Sequence, residues 1–320
     1  MIATALGSFA GTGMAATIRA VLGVFPDRAP LPELPDRGPH ASMFARTMCL
    51  LEDLPFDRQP AGWRLSLGPS ILARRARRTL LDDIDVLAEN IDDWPGRLTI
   101  TTMGPWTLSA CVDLPRGGRS IGDPGARRDI CQAWGAALDT HLAWVRRVIG
   151  APVAVQIDEP CLGQVLTGVI PDESGRHSLP PVEEPEVRDA LGAAIAQAKA
   201  AGGDIVVVHC CDDELPLGVI LDSGADAPSI DTAVLRGSSW DRLAQWCQQG
   251  RQAWLGVVPT HQMEAGSAFM TRQREEVCSR LELDEQEREA LVLTPACGLA
   301  GVERSVAWRS LAELAKVARG

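Results

Sequence analysis

The sequence predicts an α/β protein folded as a single (β/α)8, or TIM, barrel, and three observations predict it. Short β-branched or apolar runs alternate with longer amphipathic stretches along all 320 residues, the order in which parallel strands and their crossover helices occur. Eight such runs can be counted, the number that closes a barrel. Polar residues suited to chemistry follow nearly every run, as they do where strand ends converge on one catalytic face.

The strand candidates are residues 2–6, 63–67, 98–103, 153–157, 204–208, 227–230, 254–258 and 290–293. Some are near-continuous apolar runs, as strands covered on both faces should be. The second and sixth carry the weakest pattern. Helical periodicity occupies residues 126–148, 185–201, 240–249 and 305–318. No short repeat and no low-complexity linker interrupts the chain, so residues 1–320 are read as one domain. The Pro- and Gly-rich segments 26–39, 114–125 and 170–181 read as long loops within it, of the kind that build active sites.

Composition narrows the function classes. Apolar content of 46% and charged content of 23% are those of an ordinary globular protein. A net charge of −11 argues against nucleic acid or an anionic membrane as partner. The one basic run, Arg74, Arg75, Arg77 and Arg78, reads as a solvated helix face, with a dock for an anionic cofactor tail as the sharper alternative. The apolar first 25 residues lack a basic start and are interrupted by Arg19, so they are not read as a signal peptide and the protein is placed in the cytoplasm. Nine cysteines, an odd number, do not form a disulfide framework in such a chain. Cys49, Cys111, Cys131, Cys161, Cys247 and Cys278 lie in apolar or helical surroundings and read as buried small hydrophobes.

The residues at the strand ends carry the chemistry. Gly7 and Ser8 follow the first run, Gly104 the third, and Asp158 and Glu159 the fourth. His209 and Cys211 follow the fifth, Asp231 the sixth, His261 the seventh and Cys297 the eighth. A lone histidine on an apolar strand is usually a satisfied core residue. Here, however, Cys211 is two positions on and shares its face, and Cys297 stands at another strand end. One imidazole and two thiolates suit zinc, and so few ligands can leave a position open for substrate. Cys210 is turned away by strand alternation. Asp231 either supplies a fourth, oxygen ligand or orients His209 from outside the metal.

These pieces resemble the catalytic barrel of the cobalamin-independent methionine synthases, within the superfamily that also contains uroporphyrinogen-decarboxylase-like barrels. The matching segments are LGSF at 6–9, GPWTL at 104–108, QIDEP at 156–160, HCC at 209–211, GVVPTH at 256–261 and PACGL at 295–299, in the family's order. The resemblance implies His209, Cys211 and Cys297 as zinc ligands, with Asp231 where the family has a glutamate ligand. It implies Asp158 as the acceptor of the homocysteine ammonium and Ser8, with Gly7, in the segment facing the substrate carboxylate. Glu159 joins this substrate-binding group in a supporting role, and His261 matches a catalytic histidine. The expected reaction is methyl transfer to the thiol of homocysteine. Zinc favours the reactive thiolate form and orients it for in-line attack.

The sequence also departs from the family. The second, N-terminal barrel of full-length members is not among these 320 residues, and no RCVRPP-type folate segment lies between Trp63 and Leu98. The acidic GEPER segment is missing around residues 34–43, where Glu33 and Asp36 are the nearest substitutes. A methylcorrinoid, free or on a corrinoid protein, is therefore the expected donor in place of methyltetrahydrofolate. The competing readings are methyl or alkyl transfer to another thiol such as coenzyme M, and a zinc- or corrinoid-binding module without turnover.

Overall fold

The structure is a computed structural model that describes residues 1–91 and 93–320. Its centre is an eight-stranded, wholly parallel sheet. The strands are β1 (Ile2–Ala3), β2 (Arg28–Pro30), β3 (Arg97–Met103), β4 (Val153–Asp158), β5 (Ile205–Cys210), β6 (Ala227–Asp231), β7 (Ala253–Val258) and β8 (Leu291–Pro295). Each pairs with its neighbour in chain order from β2 to β8, and β8 pairs with β1. The last seam, between β1 and β2, is closed just beyond the ladders. Ser8 bridges Glu33 in parallel, with Glu33 N–H donating to the Gly7 carbonyl at 2.8 Å and Phe9 N–H to the Glu33 carbonyl at 2.9 Å.

Alternation along each strand divides two cores. Val206, Val208 and Cys210 of β5 pack outward with the residues of the surrounding helices, whereas Val207 packs inward with Leu6, Ala227, Trp254 and Val292 to fill the barrel. The same alternation turns Gln156 and Asp158 of β4 inward while Val153, Val155 and Ile157 join the outer core. The long crossover helix Pro124–Ile149 is capped by the Asp123 carboxylate, which accepts from Ala126 N–H, and ends at Gly150 with φ of 71°. No helix among the described residues is long and apolar enough to cross a membrane.

The second strand differs from the sequence expectation. Residues 63–67 do not enter the barrel. Gly62–Leu65 forms a hairpin with Phe56–Gln59 and adds Val112–Asp113 to make a separate three-stranded sheet. The barrel position is taken by β2, from within the segment expected to be loop. Three residues containing a proline carry no readable period, and β2 is an end strand of the hydrogen-bonded order, where the missing N–H of Pro30 is tolerated. Arg74, Arg75, Arg77 and Arg78 lie exposed on the helix Ile71–Ile91, Arg77 pairing with Glu52 at 2.9 Å.

Candidate metal centre

His209, Cys211 and Cys297 converge at the C-terminal end of the barrel, their ligand atoms all within 4.8 Å of one another. Two local devices produce this. Along β5, His209 continues the inward row of Val207, and Cys211 continues it past the strand end. After β8 the chain bends at 296–297 and swings Cys297 inward. Gly256 makes room for the bend, because a Cβ there would stand 2.7 Å from Ala296 Cα. Cys210 is fully buried in the outer core.

The donors are held in usable states. His209 is buried, and its Nδ1 lies 3.1 Å from both the carbonyl and the hydroxyl of Ser229, its register partner on β6. With Nδ1–H donating to that carbonyl, Nε2 keeps its lone pair for a metal. The Cys211 and Cys297 sulfurs are 3.2 Å apart. The hydrogen bond from Cys211, followed by His209, holds the Cys297 thiol down to about 4, while the same contact and burial push Cys211 up. A pinned imidazole and two adjacent sulfurs are a donor set that fits a thiophilic divalent ion.

Asp231 stands outside this cluster. It is half-buried at the end of β6, and one carboxylate oxygen accepts from Ala233 N–H at 2.8 Å, capping the short turn that follows. His261 is exposed on the turn Thr260–Gln262, with Gln262 as its neighbour at 3.2 Å, and the structure does not bring it among the three donors.

Beside the metal donors lies an acidic subsite. Asp158 is buried, opposite His209 in the β4–β5 register. Burial pushes its carboxyl up to about 7, against the pull of His209 and of the hydrogen bond from Gln156. Glu33, also buried, sits across the closing seam from Ser8 and accepts from Thr101 Oγ1 at 2.9 Å and Arg46 Nε at 3.3 Å. Arg46 in turn bonds Asp83, which Arg37 grips through both oxygens at 2.7 and 2.8 Å. Of the two acidic substitutes noted in the sequence, Glu33 is the inward one. Asp36 is exposed and accepts from Gly11 N–H at 2.6 Å. Gly7, with φ of 104°, turns the chain here where a Cβ would meet Thr101 at 2.9 Å, and Gly298 leaves room for Ser8 Oγ, which lies 2.0 Å from where its Cβ would be.

Glu159 faces elsewhere. Its two oxygens accept from Trp106 N–H at 3.0 Å, Thr107 N–H at 2.7 Å and Thr107 Oγ1 at 2.6 Å, capping the helix Pro105–Cys111. Gly104 is required there because a Cβ would overlap this carboxylate. All of its evident bonding supports the GPWT turn. Sequence reasoning passed over Gln156 and Ser229, and it offered Glu33 only alongside Asp36. Inward alternation from Asp158 would have found Gln156, whereas choosing Glu33 over Asp36 needed the unrecognised strand before it.

The profile of a family described as cobalamin-independent synthase, catalytic domain, matches residues 98–320. Among solved structures, a candidate vitamin-B12-independent methionine synthase from Listeria monocytogenes is 13% identical with a TM-score of 0.58, covering 100% of this chain and 98% of its own. A methyltransferase from Methanosarcina mazei is 14% identical with a TM-score of 0.60 over 96% of this chain and 84% of its own. A B12-independent methionine synthase from a Shewanella species, solved with selenomethionine, is 14% identical with a TM-score of 0.54 over 81% and 70%. At these identities the likeness is one of fold. No curated protein sequence matches the chain.

Proposed function

The chain belongs to the cobalamin-independent synthase catalytic-domain family, a methionine-synthase-like methyltransferase, and on that premise we propose that it methylates the thiol of homocysteine at a zinc centre held by His209, Cys211 and Cys297. The observation that carries this reading is the convergence of one pinned imidazole and two sulfurs within 4.8 Å, beside a buried carboxylate. Zinc bound there supplies a lowered thiol pKa and a fixed direction for the acceptor sulfur.

The chain's own residues do the rest. Ser229 holds His209 in one tautomer. Asp158, with Glu33 behind it, attracts the substrate ammonium, and the Gly7–Ser8 segment meets the carboxylate end. The acceptor thiolate forms a sulfur–carbon bond as the methyl–donor bond breaks, and the donor keeps that electron pair. Asp231 and His261 are proposed as groups that engage when substrate is present: Asp231 by releasing Ala233 to approach the metal, and His261 by carrying a proton from the mouth. Gly7 and Ser8 bind substrate directly, whereas Glu159 acts by holding the turn at Gly104–Thr107. The whole of residues 1–320 is taken as one catalytic unit working in the cytoplasm.

A methylcorrinoid, free or protein-bound, is proposed as donor. The reading is supported by the missing folate segment between Trp63 and Leu98. The family description speaks for the other donor, so both enter the test. Zinc content is measured first, then homocysteine methylation with methylcobalamin and with methyltetrahydrofolate side by side. Turnover with methylcobalamin and one zinc per chain is expected. Turnover with the folate alone overturns the donor, and activity of metal-free protein overturns the mechanism.

A further inference from the structure

We propose that Gln156 is a positioning residue that makes the acceptor site selective for thiols bearing an ammonium group, by fixing Asp158 without neutralising it. The inference rests on the reading of Asp158 as the ammonium acceptor.

Gln156 and Asp158 are two residues apart on β4 and project into the barrel one above the other. Gln156 is fully buried. Its Nε2 donates to Asp158 Oδ1 at 2.7 Å and to the Leu6 carbonyl at 3.2 Å. Both neighbours are acceptors, so the amide must present its nitrogen to them, and a flipped amide would face two oxygens with its own. This orientation leaves Oε1 buried without a hydrogen-bond partner among the described residues. An orphaned buried acceptor is disfavoured, and an apolar side chain of similar volume would avoid it. What sets the amide apart is its pair of donated bonds, of which the one to Asp158 is the shorter and goes to a carboxyl group.

The type of donor matters as much as its place. A lysine or arginine at 156 would hold Asp158 equally well and cancel its charge. An amide holds one oxygen and leaves both the charge and Oδ2 to the ligand. Glu33 cannot supply the same discrimination, because Arg46 already pairs with it. Asp158 is therefore the carboxyl of the subsite that no lysine or arginine among the described residues engages, and its direction is set by Gln156.

The test is calorimetric binding of homocysteine and of 4-mercaptobutanoate, its analogue without the amino group, to the zinc-loaded full-length protein. Wild type is expected to favour homocysteine. Gln156→Met should weaken homocysteine on the order of tenfold, the loss of one hydrogen bond to a charged group, while 4-mercaptobutanoate and zinc content stay within about twofold. In an Asp158→Asn background the same substitution should change neither ligand further. Equal weakening of both ligands, or an unchanged preference, overturns the proposal; Gln156→Leu carries the comparison if Gln156→Met does not fold. A wild type that binds both thiols alike overturns the Asp158 reading itself, a result distinguishable because it appears before any variant is made.

Discussion

Asp158 and His209 face one another across the β4–β5 ladder, and the Glu159 N–H donates to the His209 carbonyl at 2.8 Å just beyond them. The acidic subsite and the metal-binding subsite therefore share one hydrogen-bonded frame. A displacement of either strand end would move both, which would fix the distance between the ammonium and the sulfur of the proposed substrate.

Replacing either thiol of the cluster should empty it. Cys211→Ser and Cys297→Ser are expected to lose stoichiometric zinc and thiol methylation together. Cys210→Ser should keep both, at a stability cost of about 1–3 kcal/mol for burying a hydroxyl in the outer core. Metal content after dialysis, read with a urea midpoint, separates the two classes.

Gly298→Ala tests the placement of Ser8. The new methyl group would occupy the space of Ser8 Oγ, which can rotate away for roughly 1 kcal/mol of rotamer strain. The fold and zinc content should survive. Methyl transfer should fall by up to about a hundredfold if Ser8 aligns the substrate. Unchanged kinetics would remove Ser8 from the binding site.

Arg46→Met should be among the most destabilising single changes. It leaves Glu33 buried with no cation and Asp83 with Arg37 alone. Breaking such a buried pair costs about 3–5 kcal/mol. Adding Asp83→Asn should not deepen the loss by the same amount, because the two share one network. Guanidinium unfolding of both variants checks this.

His141 gives the fold a pH dependence. Burial, with the nearby Arg46 and Arg77 charges, holds its imidazole down to about 4 from an ordinary 6.5. The unfolded chain takes up a proton as pH falls through 6.5, while the folded chain does not until about 4. Stability is therefore complete above 6.5 and falls as the solution is acidified. The difference between wild type and His141→Leu should shift by up to about 3 kcal/mol against wild type between pH 7 and 4. A difference that stays flat with pH would show His141 to be charged or exposed.

Much of this was legible in the sequence, and the exceptions have physical reasons. β3, β4, β5 and β7 announce themselves because they are six or seven residues long and buried on both faces. β2 does not, being three residues with a proline, and the hairpin at Gly62–Leu65 imitated it because both present a half-apolar run. His209 and Cys211 could be paired from spacing alone, since strand alternation acts between near neighbours. Asp231 could not be settled that way. A carboxylate at a strand end before a turn can reach a metal or cap the turn, and here its oxygen is on Ala233. Choosing Glu33 over Asp36 needed the strand before it, and with that strand Glu33 becomes as readable as Asp158.

The separation of the sulfurs has a consequence for how the centre is assembled. Cys211 and Cys297 are 86 residues apart, and β6 and β7 lie between their strands in the sheet. A growing chain that has made only β5 offers one imidazole and one thiol, too few to retain an ion against cellular competitors. The third donor arrives only when β8 docks between β7 and β1 and completes the ring. On the proposed reading, loading would be conditional on a finished barrel, and an ion once captured would cross-link its fifth and eighth strands. Metal occupancy would then report the integrity of the whole ring, and depletion should loosen the β8–β1 seam before the strands on the far side.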